Sequence, residues 1–260
     1  MGRMLATSAS LLGVSVVVLD VGDNGPAKQI VSAPGPHLSH IDGSFSDPER
    51  IRELAGKVDV LTIEIEHVDA TVLESVQVPV HPSPSTIKII QDKFLQKQYL
   101  LSRGLPVSEF LQVDSTVQSL HDAASKLGLP LMVKSRTLAY DGRGNFVVRE
   151  LSQSKDAIIA LGGRPLYAEK WVPFVKEIAV MVVRTTSGDV QSYPVVETIH
   201  KDSICHLVFA PLRSRDPTLV FRAQRVAEQA VKCLQGAGVF GVEMFLLESG
   251  KHIIYCLTVF

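Results

Sequence analysis

The chain has 260 residues, with 26 Lys and Arg against 27 Asp and Glu, a formal net charge of −1. So even a balance leaves no electrostatic footprint for nucleic acid, the apolar runs fall far short of the ~20 residues of a membrane span, and no signal pattern opens the chain, so a cytoplasmic protein with a small-molecule partner is expected. Cys205, Cys233 and Cys256 are widely spaced and form no C-x-x-C pair, which argues for free thiols rather than a disulfide framework or a zinc site.

In chain order, Met4 and the residues up to Leu12 make a short amphipathic stretch, read as a first helix without its preceding strand. Residues 14–20 are a β-branched run ending in Asp20, and 58–65 a second apolar run, joined through a helical segment over 48–57 that Asp47 and Pro48 open as N-cap and N1 proline. Strand, helix, strand favours a parallel sheet. Residues 1–82 therefore read as a Rossmann-like lobe whose first strand is missing. A turn-rich segment at 81–85 leads into a second lobe, 83–260. Its pattern predicts helices over 86–102, stopped by Gly104 and Pro106, and over 117–127, closed by Gly128. Strands follow at 131–134, 146–148, 166–169, 177–184 and 191–196, then a helix from Pro217 to Gln235 with Gly236 as its stop, and an alternating strand at 239–247. The fold class is α/β, with the Rossmann-like lobe followed by an α+β lobe of mostly antiparallel strands.

Lys134 closes an apolar strand and precedes Tyr140, Asp141, Gly142, Arg143, Gly144, Asn145 and Phe146. A lysine there costs desolvation unless an anion meets it, and the glycines permit a backbone that wraps a phosphate. The same segment also suits an ordinary hairpin. Glu169, Lys170, Trp171 and Val172, then Glu177, resemble a nucleotide hinge: backbone groups for a purine edge and a carboxylate for ribose hydroxyls. A strand end with an aromatic equally suits a core. Glu243 shares its strand face with Gly241 and Phe245, opposite the apolar row Phe240, Val242, Met244 and Leu246. It could hold Mg²⁺ on ATP phosphates or stand solvated. Lys93 is a second candidate cation for phosphate, or a solvated helix lysine.

Taken in order, Lys93, Lys134 with the segment 140–144, Glu169 to Val172, Glu177, Tyr193 with Pro194, His200, and Gly241 to Glu243 resemble the carboxyaminoimidazole ribonucleotide synthetase family, most nearly the synthetase part of its fungal members. The resemblance implies an ATP-grasp domain as the second lobe. It also implies a reaction in which ATP and bicarbonate give carboxyphosphate, whose carboxyl group passes to the amine of aminoimidazole ribonucleotide. By the same resemblance Lys93 and Lys134 contact phosphates, 140–146 forms a phosphate flap, and Glu169 to Val172 binds adenine. Glu177 holds the ribose, His200 lies at the nucleotide, Glu243 is a Mg²⁺ ligand, and Lys134 and Glu243 carry the catalysis. The family also suggests a homodimer.

The chain departs from the pattern twice. The family's opening strand and glycine-rich turn do not precede Gly2, Arg3 and Met4, and a returning strand that should end in Asn-Glu carries Tyr255 and Cys256 instead. A neutral thiol is a poor ligand for a hard ion. Two expectations follow: a synthetase with impaired turnover, or a non-catalytic nucleotide-binding fragment. A relative of biotin carboxylase fits the motifs less well.

Overall fold

A computed structural model describes residues 2–138, 144–201, 204–214 and 216–259. The chain opens with α1 (Gly2–Leu11), and the two β-branched runs contribute shorter strands than their composition suggests. Strand β1 (Leu19–Asp20) pairs in parallel with β2 (Ile41–Asp42); after α2 (Pro48–Ala55), β3 (Leu61–Thr62) passes through α3 (Ala70–Leu73) to pair in parallel with β4 (Val80–His81). The parallel sense is as expected. The predicted 14–20 and 58–65 strands nevertheless shrink to two residues each, and their pairs form separate two-stranded sheets. Backbone N–H and C=O groups stay in a strand only where a neighbouring strand satisfies them, and residues 14 and 15 are exposed, with the Val14 N–H donating to the Ala9 carbonyl of α1 instead.

The helix expected over 86–102 is two helices, α4 (Pro84–Gln91) and α5 (Lys93–Ser102), broken at Asp92. Asp92 takes an extended conformation and its carboxylate accepts from the N–H groups of Phe94 and Leu95, so it caps the second helix instead of continuing the first. Ile87 of α4 packs in the core of the first lobe with Leu61 and Leu73, whereas Ile90 faces a second core.

Beyond α5 come β5 (Phe110–Val113), α6 (Val117–Leu127), β6 (Leu131–Ser135), β7 (Asn145–Val148), α7 (Ser154–Leu161) and β8 (Leu166–Lys170). They form an antiparallel sheet in the order β5-β8-β6-β7, with α6 and α7 packed on one face through Leu120, Leu127, Leu131, Val133 and Leu161. The second sheet is built from β9 (Lys176–Arg184), β10 (Val190–Ser192), β11 (Val196–Lys201), β12 (Ile204–Phe209), β13 (Gly238–Leu246) and β14 (His252–Val259), with α8 (Pro217–Lys232) on its core face. The strand expected over 191–196 is split, its first part pairing with β9 as β10 and its end opening β11. The expected apolar row of β13 is indeed the core face: Phe240, Val242 and Met244 are fully buried. No helix among the described residues is long and apolar enough to cross a membrane.

Helix α8 ends at Lys232, short of Gly236, and the glycine serves a different purpose. Its φ is +80°, and a Cβ there would lie 2.4 Å from the Ser83 nitrogen. That close approach lets the Gln235 N–H donate to Thr86 Oγ1 at 2.9 Å, tying the end of α8 to the start of α4.

Strand β14 lies at the edge of its sheet, where outward backbone groups need partners. Gln96 of α5 supplies them: its Nε2 donates to the Leu257 carbonyl at 2.7 Å and its Oε1 accepts from the Leu257 N–H at 3.0 Å, both buried. Replacing Gln96→Leu strands two buried backbone groups, so unfolding in urea is expected to show a loss of about 2 kcal/mol or more at unchanged m-value; a midpoint equal to that of the parent chain would show that solvent already serves this edge.

Candidate active site

Cross-strand partners share a face of a sheet. Lys134 of β6 stands opposite Tyr167 of β8, and Glu169 opposite both Met132 and Phe110, so these side chains leave the face turned away from α6 and α7. Helix α5 covers that face. Phe94 packs edge-on against Phe110 and Tyr167, with centroids 5.4 and 6.1 Å away, and Lys97 reaches into the same layer. There Glu169, 3% exposed, lies 3.2 Å from Lys97 Nζ and 3.4 Å from Lys134 Nζ. Burial works to raise its carboxyl pKa, but Lys134 and Lys97 outweigh it and hold the group below the ordinary value. The Glu169 carboxylate is engaged by two lysines and by the Ser108 hydroxyl, which leaves only its backbone for the expected adenine contact.

A second clamp fixes the other lysine. The Lys93 N–H donates to the Arg136 carbonyl at 2.8 Å, while the Arg136 guanidinium forks onto the Asp92 carboxylate through Nε and Nη2 and lies 4.9 Å from the Phe94 ring centre. A bidentate fork is a geometrically demanding ion pair. It locks the start of α5 to the strand end that carries Lys134, so Lys93 and Lys134 enter the site as one unit. Lys93 Nζ lies 3.2 Å from Glu66 Oε2. Burial disfavours the Lys93 charge, but the surrounding Cys256, Glu66 and Glu243 side chains hold its pKa above the ordinary value. A cleft lined by Glu66, His67, Val68, Gln91, Thr137 and Leu138 opens beside this clamp.

The opposite wall belongs to the second sheet. Glu243 on β13 is registered with Ala179 on β9 and with Cys256 on β14, and Glu177 is registered with Phe245 and Thr198. Glu177 Oε2 lies 2.8 Å from His200 Nδ1 and accepts from the Tyr255 hydroxyl at 3.0 Å. The rings of Phe174, Phe245 and Tyr255 stack in series, with centroids 4.4 and 4.2 Å apart. Burial raises the Glu243 carboxyl pKa, with His200 and the Cys256 thiol pulling the other way.

Lys93, Lys134, Glu169, Glu177, His200 and Glu243 thus line the region between the two sheets. The side chains of Lys170 and Trp171 are engaged elsewhere. Lys170 is half exposed and pairs with Glu109 at 2.5 Å, while Trp171 lies under the Arg149 guanidinium, 6.0 Å from its ring centre. Tyr140, Asp141, Gly142 and Arg143 fall outside the described residues. Gly144 accepts from the Ser135 N–H at 2.8 Å; in β7, Asn145 is registered with Lys134 and shares its face, while Phe146 is registered with Val133 and packs toward the α6–α7 core. Sequence reasoning missed Asp92, Arg136, Glu66 and Lys97. Asp92 did carry a signal, an N-cap residue inside an apolar helical pattern; Lys97 carried none, because a helix lysine is ordinarily solvated.

The donor set suits Mg²⁺ poorly. Glu243 offers hard oxygen ligands, but its registered neighbour is the Cys256 thiol, which burial pushes up to about 12, so it is neutral near pH 7. Among the described residues no group of three His, Cys, Asp or Glu side chains is arranged to hold a metal ion.

Comparison with known proteins identifies the family. A family model for the ribonucleotide synthetase preATP-grasp domain matches residues 1–91, and one for the ATP-grasp domain matches residues 98–257. The phosphoribosylaminoimidazole carboxylase of Ogataea methanolica is 53% identical over 258 residues, which cover 98% of this chain and 47% of that protein. The N5-carboxyaminoimidazole ribonucleotide synthase of Pseudomonas aeruginosa is 32% identical over 252 residues, 96% of this chain and 67% of that protein. The crystal structure of carboxyaminoimidazole ribonucleotide synthase from Aspergillus clavatus complexed with ATP superposes with a TM-score of 0.93 at 48% identity, covering 98% of this chain and 66% of that one. A second structure from that organism, in complex with ADP and 5-aminoimidazole ribonucleotide, gives a TM-score of 0.92 at 46% identity, covering 99% and 66%. The chain spans less than half the length of the fungal carboxylase it matches. The chain therefore belongs to the ATP-grasp family, with a ribonucleotide synthetase preATP-grasp domain ahead of its ATP-grasp domain.

Proposed function

We propose that the chain, as lobes 1–82 and 83–260, is the nucleotide-binding part of a cytosolic enzyme of purine biosynthesis that carboxylates aminoimidazole ribonucleotide at the expense of ATP and bicarbonate. The observation that carries this is the pairing of Lys93 and Lys134 through the Asp92–Arg136 clamp, opposite Glu243 and Glu177. Two fixed ammonium groups suit a triphosphate, because phosphoryl transfer needs positioning and charge neutralisation more than side-chain chemistry.

In this reading Lys93 and Lys134 hold the phosphates, the backbone of Glu169 to Val172 meets adenine, and Glu177 with His200 meets the ribose. A bicarbonate oxygen attacks the γ-phosphorus and ADP leaves; the ribonucleotide amine then attacks the carboxyl carbon of carboxyphosphate, and phosphate leaves. Glu243 would supply one carboxylate toward Mg²⁺, and Cys256 supplies no second. A homodimer is part of the same proposal.

A second reading is a nucleotide-binding chain without turnover. Two contacts favour it: the Cys256 thiol beside Glu243, and the Tyr255 hydroxyl on Glu177, where the ribose would have to compete.

Production of ADP by the purified chain from ATP, Mg²⁺ and bicarbonate, with and without aminoimidazole ribonucleotide, tests both. Stimulation by the ribonucleotide supports the enzyme; no ADP from a folded chain that binds ATP supports the second reading. Lys134→Ala is expected to weaken ATP binding about ten-fold or more in a chain that still folds, since Lys97 remains to neutralise Glu169; unchanged affinity in calorimetry would remove the phosphate assignment. Cys256→Glu is expected to tighten ATP binding in Mg²⁺ relative to EDTA, and an equal effect in both would show that position 256 does not reach the metal.

A further inference from the structure

Lys97 is 2% exposed, an unusual position for a lysine, and it follows Lys93 by one helical turn on α5. Its ammonium donates to Ser108 Oγ at 2.8 Å, stands 3.2 Å from Glu169 Oε1 and lies 5.8 Å from the centre of the Phe110 ring. Lys134 approaches the other oxygen of the same carboxylate at 3.4 Å, with a side chain 16% exposed. One carboxylate thus serves two ammonium groups, and two cations on one anion leave a surplus positive charge. Lys97 is enclosed and tied to Ser108; Lys134 is the partner that still reaches solvent. Without Lys97, Glu169 would face Lys134 alone, and a buried carboxylate draws its remaining counter-ion in, because an uncompensated buried charge is strongly disfavoured.

We propose that Lys97 is a positioning residue of the nucleotide site: by neutralising Glu169 it keeps the Lys134 ammonium available to an incoming phosphate. The inference rests on the reading that Lys134 meets the phosphates of ATP. It assigns the Glu169 carboxylate and the Lys97 ammonium to charge balance beneath the site, leaving the backbone at Glu169 for the nucleotide.

The test is calorimetric titration of the whole chain with ATP. Lys97→Met is expected to weaken binding about ten-fold or more, and Lys97→Met combined with Glu169→Gln to bring the affinity back within about three-fold of the parent, since removing both charges frees Lys134 again. Parental affinity in a folded Lys97→Met chain overturns the proposal, as does a double variant no better than the single, which would make Lys97 a ligand or a simple packing element. If Lys97→Met does not fold, the double variant decides alone: near-parental affinity supports the proposal, and lost affinity or failure to fold overturns it, because a pair that only balances charge is replaceable by neutral groups of similar size. Lys134→Ala titrated in parallel separates the two levels of the argument, since unchanged affinity there defeats the nucleotide reading itself.

Discussion

A carboxylate with 3% of its surface exposed has to be neutralised, and at Glu169 that requirement organises the site. The charge sits on a four-stranded antiparallel sheet whose other face is closed by α6 and α7, so its counter-ions come from the open face. One comes along β6 as Lys134 and the other down from α5 as Lys97. The helix must therefore lie across the sheet at a fixed height and rotation, with Phe94 against Phe110 and Tyr167 as its apolar footing. Removing one partner of such a group is costly in a way that replacing the whole group is not.

The break at Asp92 follows from the same constraint. Continued without interruption, α4 would have to serve the first lobe through Ile87 and the second sheet in the same direction as α5. The extended residue between them lets α5 take its own direction, and Arg136 holds the new start in place from the end of β6. One residue thereby caps a helix, anchors an arginine and sets the spacing of two lysines. Gln96, one residue before Lys97, reaches the opposite way to close the edge of β14, so a single short helix binds both sheets.

Opposite this helix the wall is less suited to its expected task. The nine-residue ladder between β9 and β13 holds Glu177 and Glu243 in register, and that ladder is set by alternation alone. What faces them from β14 is an aromatic hydroxyl and a neutral thiol rather than an amide and a carboxylate. The strand forms because its apolar alternation is intact; Ile254, Leu257 and Val259 are buried with Val242 and Met244. Packing tolerates the change, whereas a hard cation does not.

Much of this was readable in the residues. Period and punctuation located α6, β6, β8, β9, β13 and the start of α8 to within a residue or so, because each has a continuous apolar row and an Asp, Thr, Gly or Pro at its end. The order of lysines, glutamates and glycines pointed to the family, since each residue's chemistry is local to its own segment. What the sequence did not determine is which charges become partners. Lys97 looks like any solvated helix lysine, Glu169 like a hinge residue and Gly236 like a helix stop, until tertiary packing brings them to Glu169, Lys134 and Ser83 respectively. The physical reason is that periodicity reports the face a residue occupies, while desolvation and pairing depend on what a distant segment places against that face.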